Sequence, residues 1–345
     1  MARFCIDILL LACCLLQACS PVVSDKRVHA QMYVKDTLGK DGVIDCFAEG
    51  KHYGIRSVTE QTFYPGDDSF HRMHHHGVAL ESEQMAYRIY FDKRQTVDVY
   101  AKRTPRLELA ESLWYPNDEQ LAEGFGDDVL KVGNTIGVGS VRPWNRDKRK
   151  LQNMDVFASR TQRIRLLTDT CATVETEVVG LETEGKVVNI LTRYSINAGH
   201  RDMQCEVFCS DSLTSLVTGV QHIGGDGEQK VLQSSLFAIQ HGGGSASDQG
   251  ESVVLVSWGT DWPVNDTVRY PKETLGIAVA VPCIYAGEVI PDSRQTLISL
   301  CLLPCSDASD LAAGYLYYAA FRLSVVSQKE LNPPALTAEQ FFNLF

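Results

Sequence analysis

Basic residues are scarce in this chain: 32 Lys and Arg stand against 43 Asp and Glu over 345 residues, a formal net charge of −11 at pH 7. A protein that grips DNA or RNA by its phosphates needs a basic face. The only dense basic stretch is Arg142 to Lys150, RPWNRDKRK, which is a patch rather than a domain, so nucleic acid is excluded as a partner. Beyond the first nineteen residues no segment reaches 18 consecutive apolar residues, the minimum for a spanning helix. There is no Gly-x-Ser-x-Gly elbow for a serine hydrolase, no glycine-rich loop followed by the Lys-Ser pair of a nucleotide site, no EF-hand pattern and no zincin spacing. Internal repeats and Pro- or Ser-rich linkers are missing too, which argues for one large domain. What is present is ordinary globular material, 44% hydrophobic and 22% charged, so wholesale disorder is excluded.

The amino terminus reads differently from the rest. Arg3 precedes an apolar run from Ile8 to Leu16, followed by Leu16-Gln17-Ala18-Cys19, which looks like the lipobox of a bacterial lipoprotein signal. The expected organisation is a signal peptide at 1–18, lipidation at Cys19, an N-terminal tether over 19–44 and one domain over 45–345. That predicts an exported protein, periplasmic or anchored to the bacterial outer membrane by its lipid and touching the membrane in no other way. Eight of eleven cysteines follow the leader, and seven remain if Cys19 is acylated, so at least one is unpaired. Cys205/Cys209 and Cys301/Cys305 are each four apart in strand-like segments, a spacing that suits buried thiols better than a zinc knuckle.

Periodicity is close to two almost everywhere. From Val187 to Ile196, Val188, Ile190, Thr192, Tyr194 and Ile196 form one face, while Asn189, Arg193 and Ser195 lie on the other, the pattern of a half-buried strand. Similar runs occur at 43–48, 53–63, 84–91, 96–102, 173–180, 202–208, 230–240, 252–258, 274–282, 295–303 and 314–323. Helical signals are few: a capping box at Thr337-Ala338-Glu339-Gln340, and weaker segments at 105–113 or 117–122. The fold class expected is all-β, a large antiparallel β-sandwich with few short helices.

Three segments could carry chemistry. His71 to Asp92, HRMHHHGVALESEQMAYRIYFD, holds four of the nine histidines together with Glu81, Glu83, Arg88, Tyr90 and Asp92. Histidine titrates near neutrality, carboxylates orient it or share the proton, and Arg holds a uronate or phosphate. Glu81 and Glu83 face one way in an extended segment, and Arg88, Tyr90 and Asp92 share a face opposite the core face of Tyr87, Ile89 and Phe91. Gly77 suggests a specially shaped turn after the histidines. Trp114 to Ser140 is a polar, Gly-punctuated loop in which Trp114 and Tyr115 could stack on sugar rings and Asp127 and Asp128 could bind calcium or hydroxyls. Tyr194 to Asp202 turns at Gly199 into His200 and Arg201, which either line the same cleft or brace the turn.

Across the chain, His75-His76-Gly77, Glu81-Ser82-Glu83, Ala86 to Asp92, Val97 to Lys102 and Gly126 to Gly133 with Gly137 and Gly139 resemble the bacterial domain of unknown function 4861. The resemblance implies a galactose-mutarotase-like β-supersandwich, export, and carbohydrate work. It also brings Tyr100 and Lys102 among the substrate-binding candidates, with Trp114, Tyr115, Asp127, Asp128, His200 and Arg201. The catalytic candidates are His75, His76, Glu81, Glu83, Arg88, Tyr90 and Asp92. The function expected is cleavage of a glycosidic link in an oligosaccharide or polysaccharide fragment, one bearing a uronate, by a lyase or a hydrolase. A sugar mutarotase or epimerase and a non-catalytic glycan-binding lipoprotein are the alternatives. No cofactor is expected, although a divalent metal is compatible with the residue types present.

Overall fold

A computed structural model of the chain describes residues 26–48, 50–224, 228–234, 251–262 and 273–327. The expected signal peptide, Cys19, the Gly242-Gly243-Gly244 segment and the expected C-terminal capping box all lie outside the described residues.

The strands, numbered along the chain, form four antiparallel sheets. The first is β1 (Val28–Gln31), β6 (Gly77–Ser82), β7 (Ala86–Tyr90), β8 (Val97–Ala101) and β9 (Asp127–Asp128), in that order. The second is β11 (Lys150–Leu151), β10 (Arg142–Asn145), β16 (Leu216–Gln221), β21 (Gln295–Leu300) and β20 (Ala286–Asp292). The largest has ten strands: β17 (Glu228–Ser234), β18 (Ser252–Asp261), β19 (Glu273–Pro282), β23 (Tyr317–Ser327), β15 (Met203–Cys209), β14 (Lys186–Asn197), β13 (Cys171–Thr183), β12 (Ser159–Leu167) and β5 (Glu60–Phe63), with β22 (Leu303–Pro304) paired to β23. A small sheet of β2 (Tyr33–Asp36), β4 (Lys51–Ser57) and β3 (Ile44–Ala48) packs against Leu113 and Tyr115. Four helices of four or five residues, Ser69–Arg72, Leu109–Ser112, Asp118–Ala122 and Ala308–Ala312, are the α content of the described residues.

The all-β expectation holds, and the period of two explains how the layers meet. Val78 and Leu80 of β6, Tyr87 and Ile89 of β7, and Val97 and Val99 of β8 join one continuous core. Val174, Ile190, Val207 and Phe321 of the ten-stranded sheet and Leu216, Val220 and Ile298 of the second sheet belong to it as well. Isolated bridges at Val97–Gly137 and Val138–Val220 tie β8 to β16 through the segment at 137–138, so the two five-stranded sheets together face the ten-stranded sheet as a sandwich. The expected tether needs correction. Val28 and Ala30 are core residues, and β1 pairs with β6 from Val28↔Ser82 to Gln31↔Ala79, so the domain takes in residues from 28 onward. All seven described cysteines are free thiols, with Cys46, Cys205 and Cys209 buried.

Gly77 is also different from the turn glycine expected. Its φ of 168° is ordinary extended backbone, and the left-handed conformations belong to His75 (φ 40°) and His76 (φ 64°). Glycine is required because β7 passes too close: an added Cβ would stand 2.0 Å from the Ile89 carbonyl oxygen. Since the obstacle is backbone, Gly77→Ala is expected to lower stability by about 1–3 kcal/mol or more, checked by denaturant melts; an unchanged midpoint would contradict this packing.

Candidate functional site

The first sheet has two covered faces. Alternation sends Val78, Leu80, Tyr87, Ile89, Val97 and Val99 into the core, so the opposite face carries Ala79, Glu81, Arg88, Tyr90, Asp98 and Tyr100. The register sets Arg88 beside Asp98, and Tyr100 beside Asp128. That polar face is roofed by the segment around the helix Leu109–Ser112: Leu109 and Trp114 pack on Ala79, Ala86 and Tyr100 with no solvent exposure. At the end of the sheet where β6 begins and β7 ends, His74–His76 close the roof.

Arg88 is the centre of the arrangement. Its Nη2 donates to Asp98 Oδ2, to Asp128 Oδ2 at 2.9 Å and to the Tyr90 hydroxyl at 2.7 Å. Its guanidinium lies 4.7 Å from the Trp114 ring and 4.6 Å from the Tyr90 ring, the geometry of cation–π contact. Asp98 is fully occupied, taking Val99 N on Oδ1 at 2.8 Å and Tyr90 and Arg88 on Oδ2. Asp128 keeps a buried Oδ1 without a partner, and at 13% side-chain exposure against 1% for Asp98 it is the less enclosed of the two.

Burial raises Asp128 to about 8, aided by the Asp98 charge and opposed by Arg88. Asp98 is raised for the same first reason, burial, again against Arg88. Two carboxyls held on one guanidinium nitrogen share their protons as a pair; Asp98, with every oxygen taken by donors, is the better place for the charge, and Asp128 for the proton. Burial works against charging Arg88, yet the acidic groups around it hold its value above the usual one, and with the Asp98 carboxylate against Nη2 it is cationic. Burial, then the neighbouring His74, Arg88 and His76, hold His75 well below the usual imidazole value, so His75 is neutral.

The polar atoms left over are as informative as those that are paired. Both ring nitrogens of His75, Nε1 of Trp114, Nε of Arg88 and Oδ1 of Asp128 are buried without hydrogen-bond partners. Each such atom costs about 1–3 kcal/mol, and native proteins seldom tolerate a group of them unless water or a ligand completes it. Backbone strain gathers here too: His75, His76, Leu113 and Trp114 are four of the seven non-glycine residues with positive φ among the described residues. Each costs on the order of 1–3 kcal/mol and such strain clusters at functional sites. His74 helps maintain it. One ring nitrogen contacts the Leu113 carbonyl at 2.8 Å and the other the Tyr53 hydroxyl at 2.9 Å; since a carbonyl only accepts, Nε2 carries the proton and Nδ1 accepts from Tyr53. His76 donates from Nδ1 to the Phe70 carbonyl at 2.8 Å and stacks on the Phe70 ring at 3.8 Å, with Tyr90 parallel to both.

Of the residues expected from sequence, the fold brings together His75, His76, Arg88, Tyr90, Tyr100, Trp114, Tyr115 and Asp128. Asp127 sits beside them, its Oδ1 accepting Asp128 N at 2.8 Å. The rest are elsewhere or otherwise engaged. Glu81 is buried in an ion pair with Lys102 and accepts from Glu108 N and Leu109 N at 3.0 and 2.9 Å, so both are braces for the roof rather than substrate contacts. Glu83 pairs with Arg27 and takes Gly199 N at 2.9 Å. His200 bonds Asp202 at 3.1 Å, and the Arg201 carbonyl receives the Tyr87 hydroxyl. These three stand by the β6–β7 turn, about 20 Å along the strands from His76 and Tyr90 at roughly 3.3 Å per residue. Asp92 closes the β7–β8 turn through Arg94 and Gln95. Asp98, Phe70 and Tyr53 were missed. The sequence signal for Asp98 was a carboxylate inside Val97-Asp98-Val99-Tyr100-Ala101, a strand otherwise fit for a core. As for metals, no group of three or more His, Cys, Asp or Glu side chains gathers among the described residues.

No curated protein matches the sequence. A GH36 alpha-galactosidase from Geobacillus stearothermophilus, solved in complex with raffinose, is similar over 77% of this chain and 40% of its own, at 8% identity and a TM-score of 0.26. The chain thus spans about two fifths of that protein's length. The model of the domain of unknown function (DUF4861) matches residues 20–323, nearly the whole length, and the chain belongs to that family.

Proposed function

We propose that the chain is a carbohydrate-active enzyme that cleaves a glycosidic link by acid catalysis at the Arg88-centred cluster. The observation that carries this is the Asp98–Asp128 pair: one carboxyl proton-bearing with a partnerless oxygen, one ionised and saturated, inside a ring of partnerless polar atoms. Carboxyl pairs whose environments separate their proton affinities are how sugar hydrolysis is performed at neutral pH. Asp128 gives its proton to the departing glycosidic oxygen, a solvent water bonds to the anomeric carbon as that C–O bond breaks, and the water's proton restores Asp128, so that the net change is hydrolysis. Asp98 supplies fixed negative charge, and neutral His75 and Trp114 Nε1 offer hydrogen bonds to sugar hydroxyls. Tyr115, Phe70, His76 and Tyr90, which are only partly buried, present the aromatic edges and faces on which sugar C–H groups pack. The lyase version fits less well. It asks a His to pull a proton from carbon, whereas His75 is a weakened base, and it asks Arg88 to neutralise a uronate, whereas Arg88 already serves two carboxyls. Export by the N-terminal signal belongs to the same proposal.

The enclosure of the cluster, with His75 1% and Arg88 2% exposed, favours one second reading: a small sugar whose ring or anomeric proton is exchanged, as in a mutarotase or epimerase. A panel of neutral and acidic oligosaccharides separates these. New reducing ends without an unsaturated chromophore are expected; unsaturated products would overturn the hydrolytic roles, anomeric interconversion alone followed by NMR would select the second reading, and binding without any conversion would leave a glycan-binding protein.

Asp128 also predicts a pH dependence. The acid must be protonated, so kcat/KM should fall as pH rises through about 8, and Asp128→Asn should lack that limb. Stability has the same sign. The folded Asp128 holds its proton up to about 8, whereas its ordinary value is 3.8, so the folded state binds more protons across that window and this group's contribution declines from pH 4 to pH 8. Melting temperatures of native and Asp128→Asn protein across that range should diverge least at the acid end.

A further inference from the structure

The chain's only dense basic stretch builds a second, distinct site. Hairpin β10–β11 and the β20–β21 turn enclose a cleft of about 460 Å³ whose lining includes Arg142, Arg149, Lys150, Arg294, Asp292 and Gln295. Arg142 forms its floor, 2% exposed. Its three hydrogen bonds all go to neutral oxygens: Gln152 O and Thr135 O at 3.3 Å, and Asn153 Oδ1 at 2.9 Å. A buried guanidinium without a carboxylate is costly, and that burial brings Arg142 down to about 10. The side chains of Arg149, Lys150 and Arg294 have no hydrogen bond or ion pair with any described residue, and Arg149 is held with φ of +45° at the hairpin turn. Asp292, the cleft's one acid, is committed to Gln295 Nε2 at 3.1 Å and Ser293 Oγ at 3.1 Å.

Four cations therefore converge against one occupied carboxylate, on a protein whose net charge is −11. A positive hollow on an acidic surface attracts a discrete anion and discourages long polyanions, which meet repulsion everywhere else. We propose that this cleft binds the carboxylate or sulfate groups of an acidic oligosaccharide. The oxyanion part stands on the cleft alone; the oligosaccharide part rests on the carbohydrate reading above and gives it the uronate-binding function that Arg88 does not supply. The turn Asp92–Gln95, which follows Tyr90, also reaches this rim, Arg94 Nη1 donating to Gly133 O at 2.7 Å and to Asn134 Oδ1 at 3.5 Å.

The test is calorimetric titration of the full chain with tetragalacturonate, a heparin tetrasaccharide, sodium sulfate and a short DNA duplex, at two salt concentrations. At least one acidic tetrasaccharide should bind, with affinity falling on added salt. Arg149→Glu/Arg294→Glu, both exposed and outside the catalytic cluster, should weaken it at least tenfold with an unchanged melt and unchanged turnover of a neutral substrate. Unaltered affinity in that variant, or no binding by either tetrasaccharide, would overturn the cleft as the site. Sulfate or DNA binding as tightly as the sugars would overturn the oligosaccharide assignment. Loss of catalytic turnover in Asp128→Asn with tetrasaccharide binding intact would show that the two sites stand or fall separately.

Discussion

Asp128→Asn is expected to lower kcat/KM by about 10²–10⁴-fold on the substrate identified by the glycan panel, the range measured when a positioned general acid is removed. The amide is nearly isosteric and still accepts from Arg88 Nη2, the bond that Asp128 Oδ2 makes at 2.9 Å, so the fold and sugar binding should persist. Asp98→Asn should also impair turnover, by removing the charge that Arg88 and Tyr90 hold in place. Glu83→Gln is the control. It changes a carboxylate of the same hairpin, but one engaged with Arg27 and Gly199 at the far end, and should leave kcat/KM within a few-fold. If Glu83→Gln and Asp128→Asn lose activity equally, or neither does, the acid has been assigned to the wrong end of the sheet.

The second large effect concerns stability rather than chemistry. Lys102→Met should cost about 3–5 kcal/mol, because removing one member of a buried ion pair leaves the other charge uncompensated. Lys102 Nζ has three partners, Glu81, Ser82 O at 2.6 Å and Arg106 O at 2.7 Å, and both charged side chains are essentially without solvent contact. For chains of 150–250 residues each kcal/mol moves the melting temperature by about 2–4 °C, so the shift is easily resolved by calorimetry. Glu81→Gln in the Lys102→Met background should restore part of it, since the amide still accepts from Glu108 N and Leu109 N without a stranded charge. A loss below about 1 kcal/mol for Lys102→Met would mean that this pair does not brace the roof and that Glu81 is open to a catalytic role after all.

These two clusters show why the fold brings some of the candidate residues together and places the others apart. Glu81, Arg88, Asp98 and Lys102 all project from the same face of one sheet, and their types and alternation are plain in the sequence. Nothing in that alternation says that the face is roofed. A strand with a wet face and a strand whose polar face is covered by a distant loop have the same period of two, and only partner distances separate a carboxylate saturated by a lysine and two backbone amides from one left with a partnerless oxygen. His200 and Arg201 failed for a related reason. They end a strand, as predicted, but the register of β6 with β7 puts that turn at the opposite end from His76. Asp128 was legible as a polar loop residue, and its pairing with Asp98 was not, because β9 joins the sheet across some thirty residues of intervening chain.

The sequence by itself determined the antiparallel β class, the core faces of β6, β7, β8 and β14, the acidic net charge, and the segment from which the histidines come, because side-chain alternation and net charge are local or additive properties. The tertiary structure alone decided which buried charges brace and which are poised, that the basic hairpin closes a cleft with the turn at Asp292, and that His75 sits strained and neutral beside Trp114. Those depend on non-local distances and on desolvation, and neither is written in the order of the residues.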